Sequence, residues 1–214
     1  MFDLISEEIE GYCEAHTSDE SDLLYQLNRE TNMKVLRPRM LSGLLQGTFL
    51  SMISKMIKPN RILEIGTYTG YSALCLAQGL QQDGVLHTIE IDEELEDMIR
   101  KYFSKSEYNA QIQLHIGDAN ILIDKIEEVW DLVFMDAEKK DYVNYYEKIL
   151  PKVKSGGFIL VDNVLWSGKV VQEIAHNDHE TKAITQFNEY IQNDKRVKNM
   201  ILPFRDGIML IEKL

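Results

Sequence analysis

From Arg61 to the end of the chain, short apolar runs of strand length alternate with amphipathic stretches of helical periodicity. This alternation predicts a mostly parallel β-sheet covered by helices on both faces, an α/β fold. One run, Leu132-Val133-Phe134-Met135, is apolar without interruption, as a strand buried on both faces requires. Parallel strands are predicted at residues 61–66, 85–91, 112–116, 132–136 and 158–162.

The predicted sheet ends in an antiparallel hairpin. Two further apolar segments, near residues 200–204 and 208–212, flank Arg205-Asp206-Gly207, and Asp-Gly is a strong hairpin signal. Between the parallel strands, helices are predicted to begin near Gly70, Glu93, Ala119 and Asp141.

The residues before Pro59 follow a different pattern. Segments 20–31 and 42–57 carry apolar residues at helical spacing. Pro38 follows the first segment and Pro59 the second, and the residue before a proline is biased away from helical conformation. We therefore expect a helical extension at residues 1–58, serving as a lid or a dimer contact, before the α/β domain at residues 59–214. The two parts are expected to form a single structural domain.

Composition excludes several classes of protein. The 214 residues, 44% of them hydrophobic, suit one globular domain without structural disulfides. The net charge of −12, from 23 basic and 35 acidic side chains, disfavours a strongly basic nucleic-acid surface, although Lys34, Arg37 and Arg39 form a local basic patch. Cys13 and Cys75 are far apart, residues 1–16 do not resemble a signal peptide, and no apolar run approaches the ~20 residues of a membrane span. We expect a cytoplasmic protein with no membrane association.

A glycine-containing turn joins the first predicted strand to a helix. In the segment from Ile62 to Ser72 the turn contains Gly66 and Gly70, and open parallel sheets bind ligands beyond such strand ends. A dinucleotide loop would need glycine where Tyr68 stands, because a large side chain obstructs a pyrophosphate. This disfavours an NAD oxidoreductase. A nucleoside without a pyrophosphate fits the turn, and S-adenosylmethionine (SAM) is such a ligand, with its zwitterionic end near Gly66.

Acidic residues end the next two predicted strands. Glu90 can accept hydrogen bonds from both hydroxyls of a ribose. Asp118 and the backbone amide of Ala119 can face the edge of an adenine, although Asp118 is equally suited to cap a helix. Together with the glycine turn, these positions favour a nucleoside site.

Oxygen-bearing side chains follow the fourth and fifth predicted strands. Asp136, Asp162 and Asn163 converge there if the strands are neighbours, and oxygen ligands without His or Cys suit Mg²⁺ first, with Ca²⁺ or Mn²⁺ as alternatives. Such a cation can bind two adjacent hydroxyls and lower the pKa of one. Lys139 can take the proton if burial and the cation lower its own pKa. The alternative is that Asp162 and Asn163 form only a turn.

Two aromatic or histidine-rich features are less specific. Trp166 follows Asn163 closely and forms either a wall over the substrate or a support packed under the loop. The segment His176-Asn177-Asp178-His179 has the spacing of a metal site but no distant partner set, so we interpret it as the solvated start of a helix.

Four motifs together resemble the cation-dependent O-methyltransferases, which include caffeoyl-CoA and catechol O-methyltransferase, and a bacterial-type member in particular. The resemblance extends from about Leu36 to the end of the chain. The motifs are Glu64-Ile65-Gly66-Thr67-Tyr68-Thr69-Gly70-Tyr71-Ser72, Met135-Asp136-Ala137-Glu138-Lys139, Val161-Asp162-Asn163-Val164-Leu165-Trp166 and Leu202-Pro203-Phe204-Arg205-Asp206-Gly207.

The resemblance implies a class I SAM-dependent methyltransferase fold, which is Rossmann-like, with a seven-stranded sheet, and a homodimer. It places Asp136, Asp162 and Asn163 on the cation and Lys139 at the position of the catalytic base, with Asp136 also beside the cofactor. The residues that it implies for cofactor binding are Met40, Ser42, Glu64, Gly66, Ser72, Glu90, Ala119, Asp136 and Tyr145, to which the turn and strand-end analysis adds Tyr68 and Asp118.

These observations predict methyl transfer from SAM to a hydroxyl of a vicinal dihydroxy aromatic molecule, with a divalent cation. Arg37 and Trp166 are the candidates for substrate contact. Segment 33–38 matches the plant-type substrate loops only loosely, and no counterpart of the late acidic residue of catechol O-methyltransferase is evident, so the motifs do not define the substrate. Two alternatives stay open. One is methylation of hydroxyuridine in transfer RNA, with the basic patch as the landing site; the other is a SAM-binding sensor without turnover.

Overall fold

The computed structural model describes residues 5–214 and contains one seven-stranded sheet. The strands are β1 (Arg61–Ile65), β2 (Val85–Glu90), β3 (Ile112–Ile116), β4 (Trp130–Met135), β5 (Val153–Val161), β6 (Val197–Leu202) and β7 (Ile208–Lys213). Their order across the sheet is β3-β2-β1-β4-β5-β7-β6. The first five strands are parallel, and β7 is antiparallel to both of its neighbours, which confirms the predicted mostly parallel sheet and terminal hairpin.

Helices cover both faces of this sheet. The α-helices are α1 (Glu7–Ala15), α2 (Asp22–Lys34), α3 (Gly43–Ile57), α4 (Tyr71–Ala77), α5 (Glu96–Phe103), α6 (Ala119–Lys125), α7 (Tyr142–Ile149) and α8 (His179–Asn193). Short 3₁₀ turns precede several of them, including Pro38–Met40 before α3. Among residues 5–214, no helix is long and apolar enough to cross a membrane.

Alternate residues of each strand pack into two separate cores. On one face, Leu63 and Val133 pack with side chains of α6, α7 and α8, such as Tyr146. On the other face, Ile62 and Leu132 pack with side chains of α2 to α5. The period of two in a parallel sheet buried on both sides produces this division. Since α2 and α3 contribute Leu27 and Leu50 to the second core, residues of the N-terminal segment are part of the layer that covers the sheet.

The structure corrects several predicted element boundaries. The fourth and fifth strands begin earlier than predicted, at Trp130 and Val153, and the sixth covers Val197–Leu202 rather than residues 200–204. Helix α1 lies outside the two helical segments predicted for the extension; it is polar and buries no residue. Residues 1–4 lie outside the described residues. They belong to the predicted extension and to the segment that does not resemble a signal peptide.

Strand order and register bring the predicted site residues to one edge. Ile65 pairs with Ile89 of β2 and with Met135 of β4, and Met135 pairs with Val161 of β5. The residues that follow these strands therefore lie side by side at their carboxyl ends. The strand order reverses between β1 and β4, which is where open α/β sheets bind ligands.

Candidate active site

Gly66 is required by the close approach of two strand ends. Its φ is +96°, and a Cβ at this position would lie 1.9 Å from the carbonyl oxygen of Asp136. The Gly66 amide donates to the Ile89 carbonyl at 3.0 Å, and the Asp136 amide donates to the Ile65 carbonyl at 2.9 Å. These bonds continue the sheet beyond β1, and a side chain at Gly66 would force it apart.

Glu64 is a buried carboxyl group with one oxygen unpartnered. The side chain is fully buried, and its Oε2 accepts a hydrogen bond from the Thr88 hydroxyl. Oε1 has no hydrogen-bond partner among the described residues. Burial raises the pKa of Glu64 to about 8, although the hydroxyls of Ser72 and Thr88 lower it in part. A buried, unpaired acceptor beside the glycine turn is suited to a cationic or hydrogen-bond-donating ligand.

Glu90 ends β2 and holds the glycine turn. Its two carboxylate oxygens accept hydrogen bonds from the backbone amides of Tyr68, at 2.6 Å, and Asp92, at 2.9 Å. Burial raises the pKa of Glu90. Each oxygen keeps a second lone pair, so the carboxylate can still accept from a diol. Tyr68 has a φ of +51°, and its hydroxyl donates to the Arg37 carbonyl at 2.9 Å, which ties the N-terminal segment to the turn.

The remaining predicted cofactor residues surround this turn at different depths. Asp118 is exposed and caps α6 by accepting from the Asn120 amide at 2.8 Å, while Ala119 is buried. Tyr145 of α7 is buried, and burial, together with Asp141 and Asp118, raises its pKa to about 12. Ser72 is buried at the start of α4.

Met40 and Ser42 lie in the segment that leads into α3. Met40 ends a short 3₁₀ turn and is half exposed, at 52%. Ser42 immediately precedes α3, and its side chain makes no capping hydrogen bond. The Ser42 hydroxyl and the Met40 thioether therefore remain available to a ligand.

Asp136 and Asp162 follow adjacent strands, and Asn163 comes next along the chain. Asp162 is buried: its Oδ2 accepts from the Gln46 amide at 2.7 Å and its Oδ1 from the Asn163 backbone amide at 2.8 Å. Burial and the charge of Asp136 raise the pKa of Asp162 well above its usual range. Asn163 adopts a left-handed conformation with φ +62°. Within residues 5–214, no three His, Cys, Asp or Glu side chains are close enough to form a metal cluster, so this group offers two carboxylates and one amide.

Lys139 lies against Asp136 and two aromatic rings. Its Nζ donates to Asp136 Oδ1 at 2.9 Å and lies 5.2 Å from the ring centre of Tyr142 and 5.9 Å from that of Trp166. Burial lowers the pKa of Lys139, but Tyr142 and Asp136 raise it more, so the pKa lies above its ordinary value. Without a cation, burial therefore does not overcome the attraction of Tyr142 and Asp136, and the predicted lowering of the Lys139 pKa depends on the cation.

The two candidates for substrate contact differ in burial. Arg37 is exposed, and its backbone carbonyl accepts hydrogen bonds from the Tyr68 hydroxyl and the Met40 amide. Trp166 is half buried, adopts φ +47°, and has an indole Nε1 with no partner among residues 5–214. Its ring lies near Lys139, which brings Trp166 to the Asp136 side of the site.

Three further residues, for which the sequence predicts no role in the site, lie at this edge. Gln46 of α3 donates to Asp162, and Arg205 of the β6–β7 turn donates to Gln46 Oε1 at 2.6 Å. Asp206 accepts a hydrogen bond from the Ser167 amide. Arg205 and Asp206 were noticed as parts of a motif, but their partners are more than 35 residues away, so no local pattern could identify the contacts.

Comparisons with known proteins identify the family of the chain and proteins with the same fold. A family model described as O-methyltransferase matches residues 14–214. The caffeoyl-CoA O-methyltransferase of Stellaria longipes is 32% identical over 79% of this chain and 75% of its own length. The SAH-bound methyltransferase PaMTH1 of Podospora anserina superposes with a TM-score of 0.89 at 27% identity, covering 98% of this chain and 97% of its own. The O-methyltransferase TomG of Streptomyces achromogenes, solved with SAM, gives 0.88 at 25% identity, covering 98% and 99%.

The fold is that of SAM-dependent methyltransferases, as predicted. The chain belongs to the O-methyltransferase family, of the caffeoyl-CoA O-methyltransferase type.

Proposed function

We propose that this enzyme transfers the methyl group of SAM to one hydroxyl of a vicinal dihydroxy aromatic molecule, with a divalent cation held by Asp136, Asp162 and Asn163. The position of Asp136 is the observation on which the proposal depends. Its backbone lies against Gly66 of the glycine turn, its side chain contacts Lys139, and its charge raises the pKa of Asp162. Cofactor and acceptor would therefore be adjacent, as direct transfer requires.

The residues around the glycine turn fit SAM. The unpaired Oε1 of Glu64 is suited to its ammonium group, and Glu90 to its ribose hydroxyls. Asp118 and Ala119 would face the adenine. The full proposed set is Met40, Ser42, Glu64, Gly66, Tyr68, Ser72, Glu90, Asp118, Ala119, Asp136 and Tyr145.

The oxygen cluster fits a hard cation. Burial and repulsion by Asp136 already raise the pKa of Asp162, and a cation held by these residues would relieve that repulsion. Mg²⁺ is the first candidate, and Ca²⁺ or Mn²⁺ are alternatives. Bound there, the cation would supply a Lewis acid that lowers the pKa of an acceptor hydroxyl.

Lys139 is the proposed base. Its Nζ is held 2.9 Å from Asp136 Oδ1, which keeps it protonated in the resting enzyme. Engagement of Asp136 by a cation would weaken this attraction, and the positive charge of the cation would add to the effect of burial, which lowers the pKa of Lys139. Trp166 would then form an aromatic wall beside the acceptor, and Arg37 would lie at the outer rim.

The test measures transfer of labelled methyl from SAM to catechols, caffeoyl esters and bulk transfer RNA, with Mg²⁺ or with chelator. Labelling of a catechol or caffeoyl ester that the chelator abolishes is expected. Asp136→Ala should lose this activity, whereas Asp124→Ala, which removes an exposed carboxylate paired with Lys148, should keep it.

Other outcomes would overturn the proposal. Full activity of Asp136→Ala, or insensitivity to chelator, contradicts the cation. Labelling of transfer RNA alone would indicate the hydroxyuridine enzyme instead. Tight SAM binding with no divalent-cation site would indicate a sensor. The basic patch proposed for RNA is weakened by Lys34, which pairs with Glu30 at 2.8 Å.

We also propose a cytoplasmic homodimer in which residues 1–58 serve as lid and dimer contact over the domain at residues 59–214. The described part of this extension exposes apolar side chains on and between α1, α2 and α3, namely Ile9, Tyr12, Tyr25, Met33, Leu36, Met52 and Met56. Subunit interfaces bury exposed apolar side chains, and their number in this segment supports the proposal.

A further inference from the structure

The turn between β6 and β7 contacts two separate parts of the candidate site. On one side, Asp206 and Gly207 accept backbone hydrogen bonds from Leu165 at 2.9 Å and Val164 at 3.1 Å, in the loop after Asn163. On the other side, the Arg205 guanidinium donates to the carbonyls of Leu41 and Ser42, just before α3. The turn thus joins the cation side of the site to the N-terminal segment.

Arg205 also fixes the orientation of a buried amide. Gln46 is 2% exposed, and its Oε1 accepts from Arg205 Nη1 at 2.6 Å while its Nε2 donates to Asp162 Oδ2 at 2.7 Å. A guanidinium can only donate, so it must face the amide oxygen. The amide nitrogen is then the atom that faces Asp162, and the carboxylate is held by a donor.

The backbone conformation of Arg205 indicates that its side-chain hydrogen bonds hold the residue in place. Its φ is +50°, a left-handed conformation that costs a residue other than glycine free energy. Such strain persists where surrounding contacts fix it. The contacts here are the three acceptors Leu41, Ser42 and Gln46.

We infer that Arg205 and Gln46 are positioning residues that act in series on Asp162: Arg205 orients the Gln46 amide, and the amide orients the carboxylate toward the proposed cation. This inference depends on the proposed function, because Asp162 must be a cation ligand for its orientation to matter. Groups that orient metal ligands through hydrogen bonds typically change metal affinity by 10- to 100-fold when removed.

The test titrates Mn²⁺ into the full-length protein without SAM or acceptor, by calorimetry and by electron paramagnetic resonance. Gln46→Met keeps the volume but removes the amide, and Arg205→Gly removes the guanidinium while relieving the left-handed strain. Each variant is expected to bind Mn²⁺ about 10-fold more weakly. The double variant should bind no more weakly than the weaker single variant, because both residues act through one chain of hydrogen bonds.

The control is Gln78→Met. Gln78 Oε1 accepts hydrogen bonds from Ser51 and Lys55, which lie on α3 like Gln46, but the described hydrogen bonds of Gln78 do not involve Asp162. This variant should bind Mn²⁺ like the wild type. Thermal unfolding of each variant separates positioning from stability: Gln46→Met and Arg205→Gly should both remain folded at the temperature of the titration, so that weaker Mn²⁺ binding does not reflect a loss of folded protein.

Unchanged Mn²⁺ affinity in Gln46→Met and Arg205→Gly would overturn the inference, and so would an equal loss in Gln78→Met. If instead the wild type binds no Mn²⁺, or Asp162→Ala binds it normally, the cation of the proposed function fails, which is a different result.

Discussion

At the scale of single residues, Gly66 is the position where the backbone leaves least freedom. Gly66→Ala should destabilise the protein by about 3 kcal/mol or more, because it adds left-handed strain and a collision with the Asp136 carbonyl. Gly156→Ala is the matched control: its φ is +74°, but no atom lies within 4 Å of the new Cβ. It should cost only the strain, about 1–2 kcal/mol. Urea unfolding measures both; equal losses would contradict a close contact at Gly66.

Glu64 should make stability depend on pH in a direction opposite to that of a carboxylate whose pKa is lowered by a salt bridge. Its pKa rises from 4.5 to about 8 on folding because it is buried, so the folded state keeps a proton that the unfolded state releases. Stability attributable to Glu64 therefore falls as pH rises from 4.5 to 8 and then levels off. Glu64→Gln should remove this loss, about 3 to 5 kcal/mol at pH 8.

Urea unfolding of Glu64→Gln and wild type at pH 5, 6.5 and 8 checks this. The two proteins should differ little at pH 5 and increasingly in favour of the variant toward pH 8. Calorimetry should find weaker SAM binding by the variant at pH 8, since the amide cannot pair with an ammonium. A constant difference between the two proteins at every pH would contradict a raised pKa.

At the scale of elements, β2 and β3 carry a histidine pair that should sensitise this edge of the sheet to acid. His87 Nδ1 and His115 Nε2 are 3.0 Å apart, and the rings stack. Burial, together with His115, lowers the pKa of His87 from 6.5 to about 4. Between these pH values the unfolded state binds the extra proton, so stability falls as pH drops from 6.5 to 4.

His87→Leu should flatten this acid dependence. The expected gain relative to wild type is about 1–3 kcal/mol between pH 6.5 and pH 4.5, which urea unfolding at the two pH values measures. His176→Leu, at an exposed position before α8, is the control and should keep the wild-type slope. An unchanged slope in His87→Leu would show that the pair does not resist protonation.

The amino ends of β1, β2 and β3 were predicted correctly from sequence, whereas those of β4 and β5 were not. The last residues of β4 and β5 are uninterrupted apolar runs, whereas β4 begins with Trp130-Asp131 and β5 continues through Lys154, Ser155 and two glycines. Those polar residues are tolerated because Asp131 accepts from the backbone of Asn60 and Arg61 and pairs with Lys154. Such compensation is tertiary and leaves no periodic signal.

The predicted site residues could be found because each follows a predicted strand, and parallel strands end at a common edge. Gln46 could not be found in this way. It lies inside an amphipathic helix, where a polar residue is expected to be solvent-exposed, yet it is buried against Asp162, 116 positions away. Arg205 likewise lies in a segment whose sequence predicts only a turn. Its contacts with Ser42 and Gln46 form because that turn packs against the start of α3.

At the scale of the whole molecule, the exposed apolar side chains of α3 should control assembly. Met52 and Met56 are 58% and 74% exposed and lie one helical turn apart on the same face. The proposed homodimer would bury them, and two carboxylates there would be left without water or partners. The double change Met52→Glu and Met56→Glu should therefore convert a dimer into a monomer.

Sedimentation equilibrium measures this change, with Ile121→Glu as the control. Ile121 is 53% exposed on α6, on the opposite face of the sheet, so its replacement should leave the dimer intact. Because α3 also carries Gln46 and begins next to Ser42, the monomeric variant should bind SAM more weakly if the partner subunit holds α3 in place. A wild type that sediments as a monomer would contradict the homodimer.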